Sequence, residues 1–510
     1  MKFKIDRPFK YTFTGISTVV LGILVGWVFF PMLLEQQTHA QVNLKEGGEM
    51  RDIWSKFPFA LEFKVFLFNI TNPDEIEKGE KPRVQQVGPY FFEEWQEKVD
   101  LADREEDDSV EYALKNKWIF VPEKSEGLTG NEELVLPHLF ILSLAMTVSR
   151  TMPKSMALAN KAIDSIFKHP TSLFQKMTAM DFLFNGLPVD CTVEDFAGTA
   201  VCSRVKEQAE GTLVPDGTDR YRFSLLGARN DTAVKKRVRV KRGIEVLNEI
   251  GLVTEWDGKT NIAKWNDTYC DTLNGTDGTI FHPQLFETEN VVSFSPELCR
   301  SLSATFEEIS SVEGVPTNRY GVFLGDPNTD PSQRCYCPSP DNCLKAGVMD
   351  LFKCVEVPLV ASHPHFYLAD PEYLQMVDGL DPSKDEHAVI VDFEPITGTP
   401  LNARKRLQYN MMVHKVDKLR LMHNFSEALL PLFWVEEGVV LPEDLMAKIK
   451  MSLLFLTVSA YLIWIQIIVG LCLTAFGGYL YYKARRTSHS FTINKKRKHK
   501  SGGTERNYTF

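Results

Sequence analysis

The sequence predicts a membrane protein in which two transmembrane helices flank one large, mainly-β, disulfide-stapled outer region. Three features of the 510-residue chain predict it: a long uncharged run near each end, segments that alternate apolar and polar residues with period two, and eight of nine cysteines confined between the runs.

The first run, 11–34, holds 24 residues without a charge, and the second, 451–482, holds 32. About 20 apolar residues suffice for a helix to cross the hydrocarbon core, so both are read as spans. Trp27, Tyr461, Trp464, Tyr481 and Tyr482 suit the interfaces. Lys2, Lys4, Arg7 and Lys10 precede the first span against Asp6 alone. Lys483, Arg485, Arg486, Lys495, Lys496, Arg497, Lys498, Lys500 and Arg506 follow the second against Glu505. Positive charge stays cytosolic, which places both tails, 1–10 and 483–510, in the cytosol and the region 35–450 outside. A net charge of −10 despite such tails leaves that region strongly acidic, and no nucleic-acid partner is expected. A cleaved signal peptide is the alternative for the first run, yet no small-x-small site follows Leu34, and the outer region would be extracellular or lumenal either way. The tail motif KKRKHK (495–500) reads first as a topology signal and second as a contact for anionic membrane lipid.

Sequons at Asn69, Asn230, Asn266, Asn274 and Asn424 all fall in the outer region and are candidate glycosylation sites. Asn507 also fits the pattern but lies in the cytosolic tail. Cys191, Cys202, Cys270, Cys299, Cys335, Cys337, Cys343 and Cys354 are outside; Cys472 is within the second span. An even set in an oxidising compartment reads as disulfides. A zinc site is disfavoured because paired C-x-x-C knuckles are missing, so no metal or cofactor is expected. Eight cysteines allow about a hundred pairings; Cys337 and Cys343 could close a tight loop through Pro338, Ser339, Pro340 and Asp341.

Within the outer region, FALEFKV (59–65) and RVRV (237–240) alternate with period two, and HAVIVDF (387–393) is apolar and β-branched. NPDE, GDPN, DGLDPS and ITGTP punctuate these runs as turns. Residues 151–186 differ. Pro153 suits a first helical turn, Met156, Ala159, Ile163, Ile166 and Phe167 form a helical stripe, and Pro170 ends it. A second helix is expected from Thr171 to Asn185, so the helical insert lies near 137–186. KKRVRVKR (235–242) reads as a strand with Val238 and Val240 inward and a solvated basic face; Arg239–Arg242 also forms a candidate dibasic processing site. His363 and His365 in SHPHF look like a ligand pair, but histidines beside proline in a loop are usually structural. No G-x-S-x-G, H-E-x-x-H, G-x-G-x-x-G or phosphate loop occurs, and no enzyme is expected.

NPDE (72–75), VGPYFF (87–92), NGTDGT (274–279), LCRSL (298–302), PHFYLADP (364–371) and DFEPITGTPLNARKRLQYN (392–410), set between two spans, resemble the class B scavenger receptor (fatty acid translocase) family. CTVEDFAGTAVC (191–202), DGLDP (378–382) and LPLFWVEEG (430–438) are most similar to its insect sensory neuron membrane proteins. The resemblance implies an irregular antiparallel β-barrel with a helical apex bundle and an apolar tunnel. It implies Cys270–Cys335, Cys299–Cys354 and Cys337–Cys343 as disulfides, with Cys191 and Cys202 left to pair. In fatty-acid-binding relatives an apical lysine marks where lipid enters. Lys168 matches best, with Lys154, Lys161 and Lys176 in the same helical region. The implied function is capture of lipid-derived odorants or pheromones and their passage toward the membrane and an odorant receptor complex. A pheromone-binding protein is a further implied partner. The implied location is the plasma membrane of a sensory neuron dendrite. The alternative is a general lipid or lipoprotein scavenger receptor or fatty acid transporter. A lysosomal member would usually carry an acidic dileucine signal, and neither tail has one.

Overall fold

The computed structural model describes residues 6–208, 211–339 and 341–500. Lys2, Lys4, Pro340, Arg506 and Asn507 lie outside the described residues, as do the side chains of the 495–500 motif. The chain divides into two compact units, one of residues 1–42 with 443–510 and one of residues 43–442. The two terminal helices, Arg7–Val42 and Glu443–Thr487, extend past the apolar runs 11–34 and 451–482.

In the first unit the helix Asp6–Leu24 passes through a π-helical turn, Val25–Phe29, into the helix Phe30–Val42. Pro31 has no N–H to give the Trp27 carbonyl, and a widened turn absorbs the missing bond. The other helix runs from Glu443 to Lys500. Glycines set their contact. A Cβ on Gly15 would lie 2.5 Å from the Thr474 backbone nitrogen, and one on Gly470 would lie 2.9 Å from the Gly15 carbonyl oxygen. Gly477 meets Thr12 in the same way, and Trp27 and Trp464 meet edge to face at 5.6 Å. Small residues let helix backbones approach in lipid, where the hydrophobic effect no longer drives association. Most of the large apolar side chains point away from the pair, as a lipid-facing surface requires. Gly470→Leu is therefore expected to cost about 1–3 kcal/mol of helix pairing by overpacking. Reduced energy transfer between probes on the two helices would show it.

The second unit is built on a thirteen-stranded antiparallel sheet. Its strands run, in spatial order, Val253–Trp256, Thr232–Lys241, Ser109–Phe120, Val84–Arg104, Leu61–Ile70, Ala428–Val440, Thr399–Val413, Ile390–Glu394, Val315–Val322, Arg300–Val312 and Val291–Ser295. Two short strands, Val348–Asp350 and Leu359–Ser362, branch from Thr399–Val413. The outermost strands are joined by the NGTDGT segment. Val253 donates to the Gly275 carbonyl at 2.9 Å, Thr276 to Val292 at 3.0 Å, and Phe294 to Thr276 at 2.8 Å. The sheet is thereby nearly closed into a barrel. Gly275 has φ +81°, and a Cβ there would lie 2.2 Å from the Val292 carbonyl oxygen, so only glycine fits the seam.

Helices Leu139–Thr151, Met156–Ile166 and Phe196–Gln208 form the insert. The first two share one core with the strands, in which Ile141, Leu142, Ala145, Met156 and Ile163 meet Phe68, Ile70, Ala428 and Leu430. The expected helix Thr171–Asn185 is not formed. Phe174–Thr178 is a strand paired with Glu133–Pro137, followed by a π-helical turn at Asp181–Asn185. Leu173, Phe174 and Met177 are buried in either form, and a short apolar run does not tell helix from strand. HAVIVDF is strand only over Ile390–Glu394; His387 ends a helical turn, Lys384–His387.

KKRVRVKR is a strand with Val238 and Val240 buried, and its basic face is solvated only in part: Lys235 and Lys236 are exposed, Arg239 and Arg242 are not. Arg239 pairs with Glu111 and Glu255, and Arg242 with Asp103, Glu105 and Asp108; both arginines are buried. Carboxylates on the neighbouring strands and in the hairpin turn draw them in.

Candidate functional site

The apex carries the lysines singled out from the sequence, and they stand on different elements. Lys154 is on the turn Pro153–Ser155, Lys161 on the helix Met156–Ile166, Lys168 just beyond that helix, and Lys176 on the strand Phe174–Thr178. The helical placement expected of Lys176 is therefore corrected. All four are exposed. Lys168, at φ +56°, keeps 81 % of its side-chain surface and lies 3.6 Å from Asp190. Around them the apex leaves apolar groups in solvent, with Met152 50 % and Phe196 78 % exposed. The disulfide Cys191–Cys202 ties the helix Phe196–Gln208 to the strand Leu187–Asp190 beside this surface.

Beneath the apex, strand register sets a row of side chains on one face of the barrel wall. Phe120, Phe92, Phe63, Glu437 and Lys405 are successive neighbours across five strands, with Trp118, Glu94 and Leu61 in the adjoining row. The turn Asp181–Asn185 sets Phe184 5.0 Å from Phe92 and Phe182 6.1 Å from Phe433, which in turn meets Tyr409 at 5.1 Å. This is the inward face, roofed by the insert. Lys405 Nζ lies 3.3 Å from Glu437 and 3.7 Å from Glu297. Glu297 comes from the turn between Val291–Ser295 and Arg300–Val312, beyond several intervening strands. Lys405 and Glu297 keep 48 % and 46 % of their side-chain surface free.

The electrostatics follow from these contacts. Glu297 and then Glu437 hold Lys405 charged far above its ordinary range. Burial would raise Glu297, but Lys405 brings it below the usual carboxylate value. Burial, and then Glu297, push Tyr409 up to about 12. Glu94 is raised well above the carboxylate range by burial, and next by Glu437. Sequence reading passed over this set because YFFEEWQEK and NARKRLQYN look like solvated strands. The signal was alternation, which puts Lys405 on the face of Ala403, Leu407 and Tyr409.

On the opposite face of the wall, His365 is held rather than free. Its Nδ1 accepts from the Asp381 amide at 2.9 Å, so Nε2 carries the proton and donates to Gln86 Oε1 at 2.7 Å. It stacks on His387 at 4.4 Å, and His387 meets Trp434, itself stacked on Phe66. Burial holds His363 and His365 down to about 4 and His387 to about 3. His363 is buried too, and its Nδ1 has no hydrogen-bond partner among the described residues.

Disulfides join Cys270 to Cys335, Cys299 to Cys354 and Cys337 to Cys343. Asp267 lies beside the first of these, but oxidised sulfurs are not thiolate ligands, and Asp267 Oδ1 accepts from the Tyr269 and Cys270 amides instead. Of the sequons, Asn266, Asn274 and Asn424 are exposed. Asn69 and Asn230 turn their carboxamides inward, accepting from the Val135 and Trp118 amides at 2.8 Å.

Two apolar spans and a nearly closed antiparallel barrel carrying a helical insert define a two-span membrane protein. The chain belongs to the CD36 family, whose model matches residues 13–481. It is 48 % identical to sensory neuron membrane protein 1 of Apis mellifera, over 94 % of this chain and 92 % of that relative. It is 40 % identical to the protein of that name from Manduca sexta over the same shares, and 41 % identical to that of Antheraea polyphemus over 88 % and 86 %.

Proposed function

We propose that the protein captures lipid-derived odorants at its apex and passes them through the barrel toward the membrane and a neighbouring odorant receptor complex. The observation that supports this most is a barrel-wall face on which Lys405 and Glu297, each about half exposed, stand with Phe63, Phe92, Phe184, Phe433 and Tyr409. Each methylene kept from water is worth about 0.8 kcal/mol, so a sixteen-carbon chain carries on the order of 12 kcal/mol. Release of such a chain into water is correspondingly rare. A conduit that keeps it dehydrated lowers the barrier, and delivery by a soluble pheromone-binding protein at the apex is compatible with this. In this reading both tails are cytosolic, the protein sits in the dendritic plasma membrane of a sensory neuron, and no catalytic step is involved. Glycosylation is assigned first to Asn266, Asn274 and Asn424, and next to Asn69 and Asn230.

Lys168 is too exposed to hold ligand strongly, since exposed charge pairs contribute about 0–1 kcal/mol. Lys168→Ala is therefore expected to slow uptake by no more than about fivefold, with Lys154, Lys161 and Lys176 smaller still. Ala403→Trp fills the inward face two residues from Lys405 and is expected to abolish transfer. Transfer of a fluorescent sixteen-carbon ester from solution into nanodiscs containing the protein measures both. Equal, negligible effects would contradict the conduit.

A further inference from the structure

We infer that a cleft on the outer unit, between the strand Arg300–Val312 and the disulfide loop that follows the turn Pro331–Tyr336, binds one chloride ion at Arg300. This site is independent of the conduit proposed above. Arg300, Gln333, Tyr336, Cys337 and Met349 stand on the cleft, which holds about 280 Å³ with its open mouth counted, short of the range for drug-sized ligands. Every partner of the guanidinium is neutral. Nη1 donates to the Leu324 carbonyl at 2.9 Å and lies 3.9 Å from Met349 Sδ; Nη2 meets Gln333 Oε1 at 3.5 Å. The guanidinium lies 4.2 Å over the Tyr336 ring and also reaches its hydroxyl. Among the described residues, no carboxylate lies within 4.0 Å of Arg300. The buried arginines Arg51, Arg239, Arg242 and Arg406 each meet one within 3.2 Å.

Two acids stand near the cleft, and both are engaged. Asp330 acts on Arg300 across Gln333, whose Nε2 donates to Asp330 Oδ2 at 2.9 Å. Asp350 borders the cleft but accepts from Arg150 at 2.6 Å and from the Phe352 amide at 2.8 Å. Lys353 adds a second cation with no acid within 4.0 Å among the described residues, its Nζ on the Cys335 and Cys337 carbonyls. A charge withdrawn from water is costly unless a counter-charge meets it, and burial lowers Arg300 from the usual arginine range. An ion from solution supplies that counter-charge, and the lining selects which. One guanidinium balances one negative charge, and its planar fork has more N–H donors than these neighbours use. The side chains of Leu324, Pro327, Leu344 and Val348 give no hydrogen bond to the further oxygens of phosphate or sulfate. A bare halide needs none. Bound there, chloride ties the strand to the loop closed by Cys337–Cys343.

The test compares melting of the full-length protein in nanodiscs in sodium chloride and in sodium gluconate at equal ionic strength. Chloride is expected to raise the melting temperature by about 2 °C or more, because a ligand that binds only the folded state stabilises it. Arg300→Gln is expected to abolish the difference. Met349→Glu puts a carboxylate where Sδ lies 3.9 Å from the guanidinium. It is expected to abolish the difference too, while raising the melting temperature in gluconate. Crystals of the wild type grown in bromide are expected to show an anomalous peak beside the Arg300 guanidinium, a readout that needs no variant to fold. Equal melting in the two salts, a difference unchanged in both variants, or bromide absent from Arg300 overturns the site.

Discussion

Asp277→Ala is expected to destabilise the outer unit by about 3–5 kcal/mol, because it strands a buried cation and opens the barrel seam at once. Asp277 Oδ2 accepts from the Trp54 indole at 3.1 Å and the Tyr112 hydroxyl at 2.9 Å, and lies 3.9 Å from Lys98 Nζ. Its Oδ1 accepts from the Thr279 amide and hydroxyl, fixing the turn whose Gly275 and Thr276 bridge the outermost strands. Lys98 is fully enclosed, with its ammonium on the Trp54 carbonyl and Thr279 hydroxyl and 4.6 Å over the Trp54 ring. Burial already lowers it to about 8. Without Asp277 the ammonium loses its counter-charge, and four donors lose their acceptor. Chemical denaturation of the full-length protein in detergent measures the loss. Lys98→Met combined with Asp277→Leu should recover much of it, since replacing both partners of a buried pair by apolar groups is often close to neutral. A single variant within 1 kcal/mol of wild type, on the scale where surface changes fall, would show that the seam does not depend on this carboxylate.

Acid should unfold the same unit well above the pH at which its carboxylates titrate. His138, His363, His365 and His387 are buried and held to about 4, 4, 4 and 3. An unfolded histidine titrates near 6.5, so the unfolded chain takes up these protons first. Their stabilisation is complete above pH ~6.5 and is lost as pH falls toward 4, at about 1.4 kcal/mol per unit for each histidine. By pH ~5 the combined loss is several kcal/mol, comparable with a whole domain's stability. Glu94, raised by burial, works in the opposite direction and softens the slope. The melting temperature should therefore fall steeply between pH 6.5 and 4.5. His138 accepts the Ile141 amide at the start of the helix Leu139–Thr151, and asparagine caps helices equally well. His138→Asn should keep the fold and lower the slope by about one proton's worth; an unchanged slope would show that His138 is protonated in the native state.

The sequence made the large features legible for a physical reason: spans, alternating strands and an even cysteine set are repeated signals that no single residue can obscure. Leu61–Ile70 and Thr232–Lys241 lie where FALEFKV and RVRV predict strands. What failed was local. The segment Thr171–Asn185 satisfies helical and extended burial alike, and only pairing with Glu133–Pro137 decides it. The helix Leu139–Thr151 is apolar on most sides, and its polar stripe of Ser143, Thr147 and Arg150 is narrow. The inward ionic set was invisible for the opposite reason. Charges on a strand are read as solvated, and nothing local to Glu94, Glu297 or Lys405 says that the strand will be rolled into a barrel with that face inside. Arg239 and Arg242 mislead in the same way.

The account stands on an alkyl chain travelling within the barrel. A structure of the full-length protein with hexadecyl acetate brominated at its terminal carbon tests this most directly. The anomalous bromine signal is expected inside the wall, among Phe92, Phe184, Phe433 and Tyr409 or between them and Lys405. Bromine found only on the outer surface, with the interior empty of ligand, would contradict it.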